Sequence, residues 1–190
     1  MNLMRDDVSN TLVHLTKGIG CDPKKHREEA FQILKKILGE KTLKGGTGFI
    51  RGSHKCVCFS EAPISKLSHI LAAKENNNFK YQPYGVIIAK KWLYQKGGRP
   101  VIYGPDADYE FLPDAMKYRH VRFHLGDYEI DHTWEREWRV KTDELTFGPA
   151  DVTIVVPNRI AKDSFSIAGY KDWHYIVLSD LGVKIDAVPA

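Results

Sequence analysis

The sequence predicts a single domain of the α+β class. Its 190 residues are 43% hydrophobic and 27% charged, which is ordinary for a globular protein with one core. The helical patterns lie in the N-terminal half of the chain, and most strand patterns follow them. Helices and strands segregated in this way favour α+β over a parallel, doubly wound sheet. We therefore expect one domain over residues 1–190.

The first segments predict a strand, a helix and a loop. "SNTLVHLTKG" is an apolar, β-branched run that predicts a strand ending near Gly18. "DPKKHREEAFQILKKILGE" predicts a helix with Asp22 as its cap, Pro23 at its first position and a stop at Gly39. Its apolar stripe comprises Ala30, Phe31, Ile33, Leu34, Ile37 and Leu38. "KTLKGGTGFIRGSHK" is rich in glycine and lysine and predicts a mobile loop or a short hairpin.

The later segments predict mostly strands. "CVCFSEAPISKLSHILAAKE" begins as a strand and becomes a helix near Ser60 or Glu61, with Ile64, Leu67, Ile70 and Leu71 on one face. "YGVIIAKKWLYQKGGRPVIYG" predicts two strands joined by a short connection, and "EFLPDAMKYRHVRFHL" fits a helix or a loop. The segments "EREWRV", "DVTIVVP" and "HYIVLS" predict three further strands, and "VKIDAV" is a fourth candidate.

Composition narrows the classes of protein. No apolar run approaches the roughly 20 residues of a membrane span. The start, "MNLMRDDVSN", lacks the apolar core of a secretory signal. The three cysteines, Cys21, Cys56 and Cys58, are an odd number and suit reduced thiols, so we expect a cytoplasmic protein without a membrane partner. The net charge of +4 is a mild bias towards anionic partners.

Several common kinds of site are not favoured by the motifs. The glycines of "KGGTG" complete neither a phosphate-binding loop nor a dinucleotide fingerprint, and a hydrolase elbow is absent. His120, His124 and His132 fall in one stretch, but without the spacing of a zinc motif, and Cys56-x-Cys58 lacks a second pair. We therefore expect no metal site.

The segment "TWEREWRV" places charged residues at alternate positions. On a strand, Glu135, Glu137 and Arg139 would share one face, with Arg136, Trp138 and Val140 on the other. A polar row of this kind is either a solvated face or the floor of a site. With "VHLT" and "VCFSEAP", it forms an ordered set of three strand patterns.

This order resembles the ADP-ribosyltransferase superfamily. Such enzymes assemble their site from an early strand with His or Arg, a middle strand with an aromatic residue or Ser, and a late strand with Glu. "HLT", "C-x-C-F-S-E-x-P" and "W-x-x-E-W-R" are also similar to bacterial abortive-infection phage-defence proteins of the AbiGi type, from about residue 10 to residue 140. The early His resembles one branch of the superfamily and E-x-E resembles the arginine-modifying branch. The resemblance implies split sheets of mixed and antiparallel strands.

The resemblance also implies a chemistry and a set of residues. The substrate would be NAD, and Glu137 would stabilise positive charge on the ribose while Glu135 orients or deprotonates the nucleophile. The residues assigned to NAD are His14, Thr16, Arg51, Phe59, Ser60 and Tyr103. We expect a toxin of a toxin–antitoxin system in phage defence, with a cognate antitoxin as partner. The basic charge favours a nucleic-acid acceptor, RNA before DNA, over a protein side chain.

Other interpretations of the same residues stay open. His14 and Tyr103 are also typical of a strand or a core, Ser60 of a helix cap, and the two glutamates of a solvated face. The chain could be a non-catalytic binding module or antitoxin of the same fold. A metal-dependent nuclease built on Asp127, Asp131 and His132 is a third possibility, which no ligand spacing supports.

Overall fold

The computed structural model describes residues 9–18, 23–48, 50–61, 63, 66, 71, 74–75, 78–79 and 81–183. Within them the chain is mixed α+β, as the sequence predicts. The strands are β1 Thr11–Leu15, β2 Thr42–Lys44, β3 Cys56–Ser60, β4 Lys74–Glu75, β5 Asn78–Phe79, β6 Gly85–Ala89, β7 Arg99–Pro100, β8 Ile102–Gly104, β9 His120–Arg122, β10 His124–Leu125, β11 Glu129–Ile130, β12 Glu137–Lys141, β13 Glu144–Thr146, β14 Val152–Val156 and β15 His174–Val177. The α-helices are α1 Pro23–Glu40, α2 Lys90–Gln95, α3 Asp108–Phe111 and α4 Arg159–Phe165. Shorter helical turns lie at Lys117–Arg119, Thr133–Glu135, Ser166–Tyr170 and Leu178–Leu181.

The chain divides into two compact units, each made of three separate segments. Unit 1 comprises Met1–Leu12, Thr42–Pro63 and Ala89–Thr146. Unit 2 comprises Val13–Lys41, Ile64–Ile88 and Phe147–Ala190. The first residues of β1 thus belong to unit 1 and the rest to unit 2. None of the described helices is both long enough and apolar enough to cross a membrane.

Unit 1 is built on strands in the order β3-β12-β7. β12 pairs antiparallel with β3 on one side and with β7 on the other. Its buried apolar side chains include Leu12, Leu43, Val57, Phe59, Leu93, Val140 and Leu145. The glycine- and lysine-rich segment begins with a strand, because Thr42 and Leu43 are buried where β2 pairs with β13. The prediction of a mobile loop or a short hairpin was therefore wrong for Thr42–Lys44, whereas the antiparallel bridge between Gly46 and Cys56 fits a short hairpin further along the segment.

Unit 2 holds the long helix that the sequence predicts. α1 begins at Pro23 and ends one residue beyond Gly39. Its stripe is confirmed by Ala30, Leu34 and Leu38, which are fully buried. The strands of this unit follow the order β15-β14-β6-β1, with β14 antiparallel to β6 and parallel to β15. "DVTIVVP" and "HYIVLS" are thus confirmed as strands.

The other expectations have different outcomes. The connection in "YGVIIAKKWLYQKGGRPVIYG" is the helix α2, and the segment that fits a helix or a loop contains α3, a short turn and the strands β9 and β10. The prediction that helices are confined to the N-terminal half was wrong, since α4 lies in the C-terminal part.

Most of the helix predicted after Glu61 lies outside the described residues. So do most of "VKIDAV", Cys21 and the Asp22 cap.

Gly85 lies very close to the backbone of β1 at His14, within unit 2. A Cβ atom there would lie 2.1 Å from the carbonyl oxygen of His14, whereas one at Gly46 would meet nothing within 4 Å. We expect Gly85→Ala to lower the free energy of unfolding by about 1–3 kcal/mol, as other overpacking substitutions do. Gly46→Ala is the matched control and should change it by less than about 0.5 kcal/mol. Urea denaturation of the two variants measures both values, and equal effects would contradict the close approach.

Candidate active site

The register of β3 and β12 decides which side chains share a face. Glu137 lies opposite Ser60, Trp138 opposite Phe59, and Arg139 opposite Cys58. Residues directly opposite each other in an antiparallel pair point to the same side of the sheet. Glu137, Arg139, Ser60 and Cys58 therefore form one face, and Trp138 and Phe59 belong to the other.

A buried ion pair dominates the first of these faces. Arg139 donates from Nε to Glu137 Oε1 at 2.9 Å and from a terminal nitrogen to Oε2 at 3.0 Å. The other terminal nitrogen donates to the carbonyl oxygens of Tyr118 and His120, at 2.8 and 3.1 Å. The exposed fractions of the two side chains are only 6% for Arg139 and 13% for Glu137. The guanidinium is thus held on both sides, and it holds the carboxylate in one orientation.

Burial and charge set the protonation of this face. Burial, followed by the charge of Glu137 and a hydrogen bond to it, raises the pKa of the Cys58 thiol far above its ordinary value. Burial also raises the pKa of Cys56. Burial acts to lower the pKa of Arg139, but its bonds to Glu137 outweigh that effect and the pKa is raised. Around neutral pH, therefore, Cys58 is a neutral thiol that donates to a carboxylate, and it is a poor nucleophile.

Tyr103 fixes the start of β12. The backbone N–H of Glu137 donates to the Tyr103 hydroxyl at 3.1 Å, and that hydroxyl donates to the carbonyl oxygen of His132 at 3.2 Å. Burial raises the pKa of Tyr103 to about 12. The hydroxyl therefore stays protonated around neutral pH, and it links the strand to the turn that precedes it.

Glu135 does not lie on the strand that carries Glu137. It ends the short turn Thr133–Glu135, and Arg136 follows with φ of 47°, a left-handed conformation that L-residues rarely adopt. The prediction that Glu135, Glu137 and Arg139 alternate along one strand was therefore wrong at its first member. Ser60 nevertheless joins the two elements, because its hydroxyl donates to the carbonyl oxygen of Glu135 at 2.5 Å.

The opposite face holds a second buried carboxylate, which the sequence alone did not single out. Glu61 accepts from Trp138 Nε1 at 2.7 Å and pairs with Lys90 Nζ at 2.6 Å. Its backbone N–H donates to the carbonyl oxygen of Arg136 at 3.2 Å. The signal was a charged residue directly after a buried strand, where a carboxylate needs partners. Glu61 thus fixes the turn before Glu137 from the other side.

The remaining residues assigned to NAD lie in different surroundings. Phe59 is a core residue, only 2% exposed, on the face away from Glu137. Arg51 pairs with Glu110 at 2.6 Å and lies over the ring of Tyr109. His14 and Thr16 belong to unit 2, where the buried Thr16 hydroxyl donates to the carbonyl oxygen of Tyr84 at 3.0 Å. Unit 1 therefore brings together Ser60, Tyr103, Glu135 and Glu137.

The residues considered for a nuclease have local roles. Asp131 Oδ1 accepts from the backbone N–H of Thr133 at 2.8 Å and from its hydroxyl at 2.6 Å, and these bonds lower the pKa of Asp131. His120 and His124 lie on separate strands, β9 and β10. Among the described residues, no group of three or more His, Cys, Asp or Glu side chains is arranged to hold a metal ion.

The Cys58 thiol makes the stability of unit 1 dependent on alkaline pH. Because its pKa is raised on folding, the folded protein keeps a proton that the unfolded chain loses above about pH 8.5. The resulting stabilisation is complete below that pH and is lost as pH rises towards the folded pKa. We expect this group to lower the free energy of unfolding by up to about 1.4 kcal/mol per pH unit between about pH 9 and 11. Urea denaturation across that range should give a shallower slope for Cys58→Ser than for the wild type. Equal slopes would contradict the assignment.

Comparisons with known proteins assign this chain to no family. Neither the protein-family models, nor the curated proteins, nor the solved structures give a match to this chain.

Proposed function

We propose that the chain is an NAD-dependent ADP-ribosyltransferase that modifies a nucleic acid, RNA in preference to DNA. The observation that supports this proposal is the register that sets Ser60 opposite Glu137, next to the turn that carries Glu135. Tyr103, an aromatic residue that the resemblance assigns to NAD, contacts the backbone of Glu137. Four of the eight residues drawn from the resemblance thus meet at one end of β12.

The proposed reaction breaks the bond between the nicotinamide nitrogen and C1 of the ribose. The bonding electrons leave with nicotinamide, and positive charge develops on the sugar in an oxocarbenium-like transition state. An oxygen or nitrogen of the acceptor then bonds to C1, and its proton passes to a base. NAD and the acceptor become ADP-ribosylated acceptor, free nicotinamide and one proton.

Each residue has a part that follows from its chemistry. The Glu137 carboxylate stabilises the developing charge and accepts from a ribose hydroxyl. A carboxylate has about four acceptor sites, of which Arg139 takes two and Cys58 one, so one site remains for the sugar. Glu135 receives the proton of the acceptor. The parts assigned to His14, Thr16, Arg51 and Phe59 in holding NAD stay predictions.

The biological role that we propose is that of a toxin in phage defence. Modification of an RNA by such an enzyme would stop growth of the infected cell, and a cognate antitoxin would hold the enzyme inactive until infection. A protein side chain as acceptor is the variant of this proposal that the mild positive charge favours less.

A second candidate function is a non-catalytic binding module or antitoxin of the same fold. The observation that favours it is the two-point ion pair, since Arg139 already compensates the charge of Glu137 and little of either side chain is exposed. A carboxylate neutralised in this way stabilises a cationic sugar less strongly than an unpaired one.

The experiment that tests the proposal follows labelled NAD. Wild type and Glu137→Gln are each incubated with NAD labelled in the adenylate part, together with RNA, DNA and cell lysate. We expect label on RNA with the wild type only. Label confined to protein would exclude the nucleic-acid version, and a folded wild type that consumes no NAD would favour the binding module. Asp180→Asn is the matched control, since Asp180 is also paired with an arginine but is exposed, and neither partner has an assigned role in the reaction.

A further inference from the structure

One surface of unit 1 is basic and aromatic, and none of its residues has a part in the proposed reaction. Residues 90–104, "KKWLYQKGGRPVIYG", contain four basic side chains and no acidic one. They form α2, the following turn and the strands β7 and β8. Lys91, Tyr94 and Lys96 are exposed, and Trp92 and Arg99 are partly exposed. The segment therefore presents cations and ring faces to the solvent.

The cations and rings of this segment are interleaved. The Arg99 guanidinium lies 3.9 Å from the centre of the Tyr94 ring, and its position is fixed by bonds to the carbonyl oxygens of Tyr94 and Gly98. Lys96 Nζ lies 5.5 Å from the centre of the Trp92 ring. Tyr94 keeps 53% of its surface exposed in spite of this contact. Planar groups are thus held in place with a face still accessible.

The cations of this surface have no acidic partner among the described residues. Arg119 joins them, because its Nε donates to the carbonyl oxygen of Pro100 at 2.9 Å. Within the described part of the chain, no carboxylate forms an ion pair with Lys91, Lys96, Arg99 or Arg119. By contrast, Arg51 and Arg122 pair with carboxylates at 2.6 and 3.0 Å. The uncompensated charge is therefore a property of this surface rather than of basic residues in general.

The surface adjoins the candidate active site through the sheet. β7 pairs with β12 next to Glu137, and the N–H of Val101 donates to the carbonyl oxygen of Glu137 at 3.0 Å. We propose that the α2–β7 surface, formed by Lys91, Trp92, Tyr94, Lys96, Arg99 and Arg119, binds single-stranded nucleic acid. That the bound strand is the acceptor of ADP-ribose rests on the proposed transferase function. The binding of single-stranded nucleic acid does not depend on that function.

The chemistry of the surface selects this partner over other anions. Cations that lack carboxylate partners bind phosphates and release their counterions. Exposed tyrosine and arginine planes stack on bases, which a single strand presents and a duplex hides. An acidic peptide would satisfy the charges but would make no use of the rings. RNA and DNA share the required chemistry, and the experiment distinguishes them.

The test measures binding without NAD, on the whole protein. Fluorescein-labelled single strands of RNA and of DNA, about 12 nucleotides long, are titrated by fluorescence anisotropy between about 50 and 200 mM salt. We expect Lys91→Ala/Lys96→Ala to reduce the slope of log K against log salt by about 1.4, since each single-strand phosphate contact contributes about 0.7. Tyr94→Ala should weaken binding about tenfold, and Tyr94→Phe, which keeps the ring, should bind like the wild type.

Matched controls make the outcome decisive. Lys35→Ala/Lys36→Ala removes the same charge from exposed positions of α1 and should leave the slope within about 0.3 of the wild-type value. A wild type that binds neither strand, surface variants that behave like this control, or equal competition by polyglutamate would each overturn the proposal. Binding by a wild type that transfers no label from NAD would leave the surface intact and reject the transferase. Transfer to RNA that is as strong in the surface variants as in the wild type would support the transferase and reject the α2–β7 surface as the site that binds the acceptor.

Discussion

Replacing Arg139 by alanine is expected to lower the free energy of unfolding by about 3–5 kcal/mol. The substitution leaves the carboxylate of Glu137 buried without its counterion, and it removes the donor to the carbonyl oxygens of Tyr118 and His120. An uncompensated buried charge costs far more than the loss of an exposed pair. Urea denaturation followed by circular dichroism measures the change.

The chain contains a matched control for this prediction. Arg51 forms an even shorter pair with Glu110, at 2.6 Å against 2.9 Å, but the exposed fractions of the two side chains are 43% and 62%. We expect Arg51→Ala to lower the free energy of unfolding by less than about 1 kcal/mol. In the double variant Glu137→Leu/Arg139→Met, both charges disappear and much of the loss should be recovered. Similar losses for Arg139→Ala and Arg51→Ala would show that burial does not govern the pair.

Replacing Glu137 by glutamine is expected to lower the rate of nicotinamide release about 10²- to 10³-fold. The amide keeps the shape of the carboxylate but removes the negative charge that the proposed transition state requires. Initial rates under saturating NAD measure the effect on wild type and variant.

The structure requires that stability be measured beside activity in this experiment. Glu137→Gln also deprives the buried Arg139 of its counterion, so part of the chain could unfold for reasons unrelated to chemistry. Circular dichroism at the assay temperature must therefore show a folded variant. Glu135→Gln leaves this ion pair intact and should slow transfer to the acceptor more than it slows nicotinamide release. A folded Glu137→Gln with the wild-type rate would contradict the assigned role.

Periodicity predicted the long elements because their burial follows from their own residues. Ala30, Leu34 and Leu38 recur at helical spacing, and all three are fully buried. "DVTIVVP" is a mostly apolar run, and it contains β14. In such segments the hydrophobic effect and the local conformation favour the same structure, so one sequence pattern is sufficient.

The turn before β12 shows where periodicity is insufficient. Glu135, Glu137 and Arg139 recur at every second position, as on a single strand, yet the backbone changes direction at Arg136. The cause lies upstream, where Asp131 accepts from the N–H and hydroxyl of Thr133 and so favours a turn. The bonds of Arg139 to the carbonyl oxygens of Tyr118 and His120 are tertiary contacts, which no local pattern indicates.

β7 also limits the pairing of unit 1 with strands of other molecules. It is the last strand in its order, and its second residue is proline. Backbone groups alternate sides along a strand and the N–H of Val101 points at β12, so the nitrogen of Pro100 faces outwards, where it has no hydrogen to donate. The outward carbonyl oxygen of Pro100 is already occupied by Arg119. An incoming strand from a second molecule would find neither a donor nor a vacant acceptor at Pro100, which protects this border from edge-to-edge aggregation.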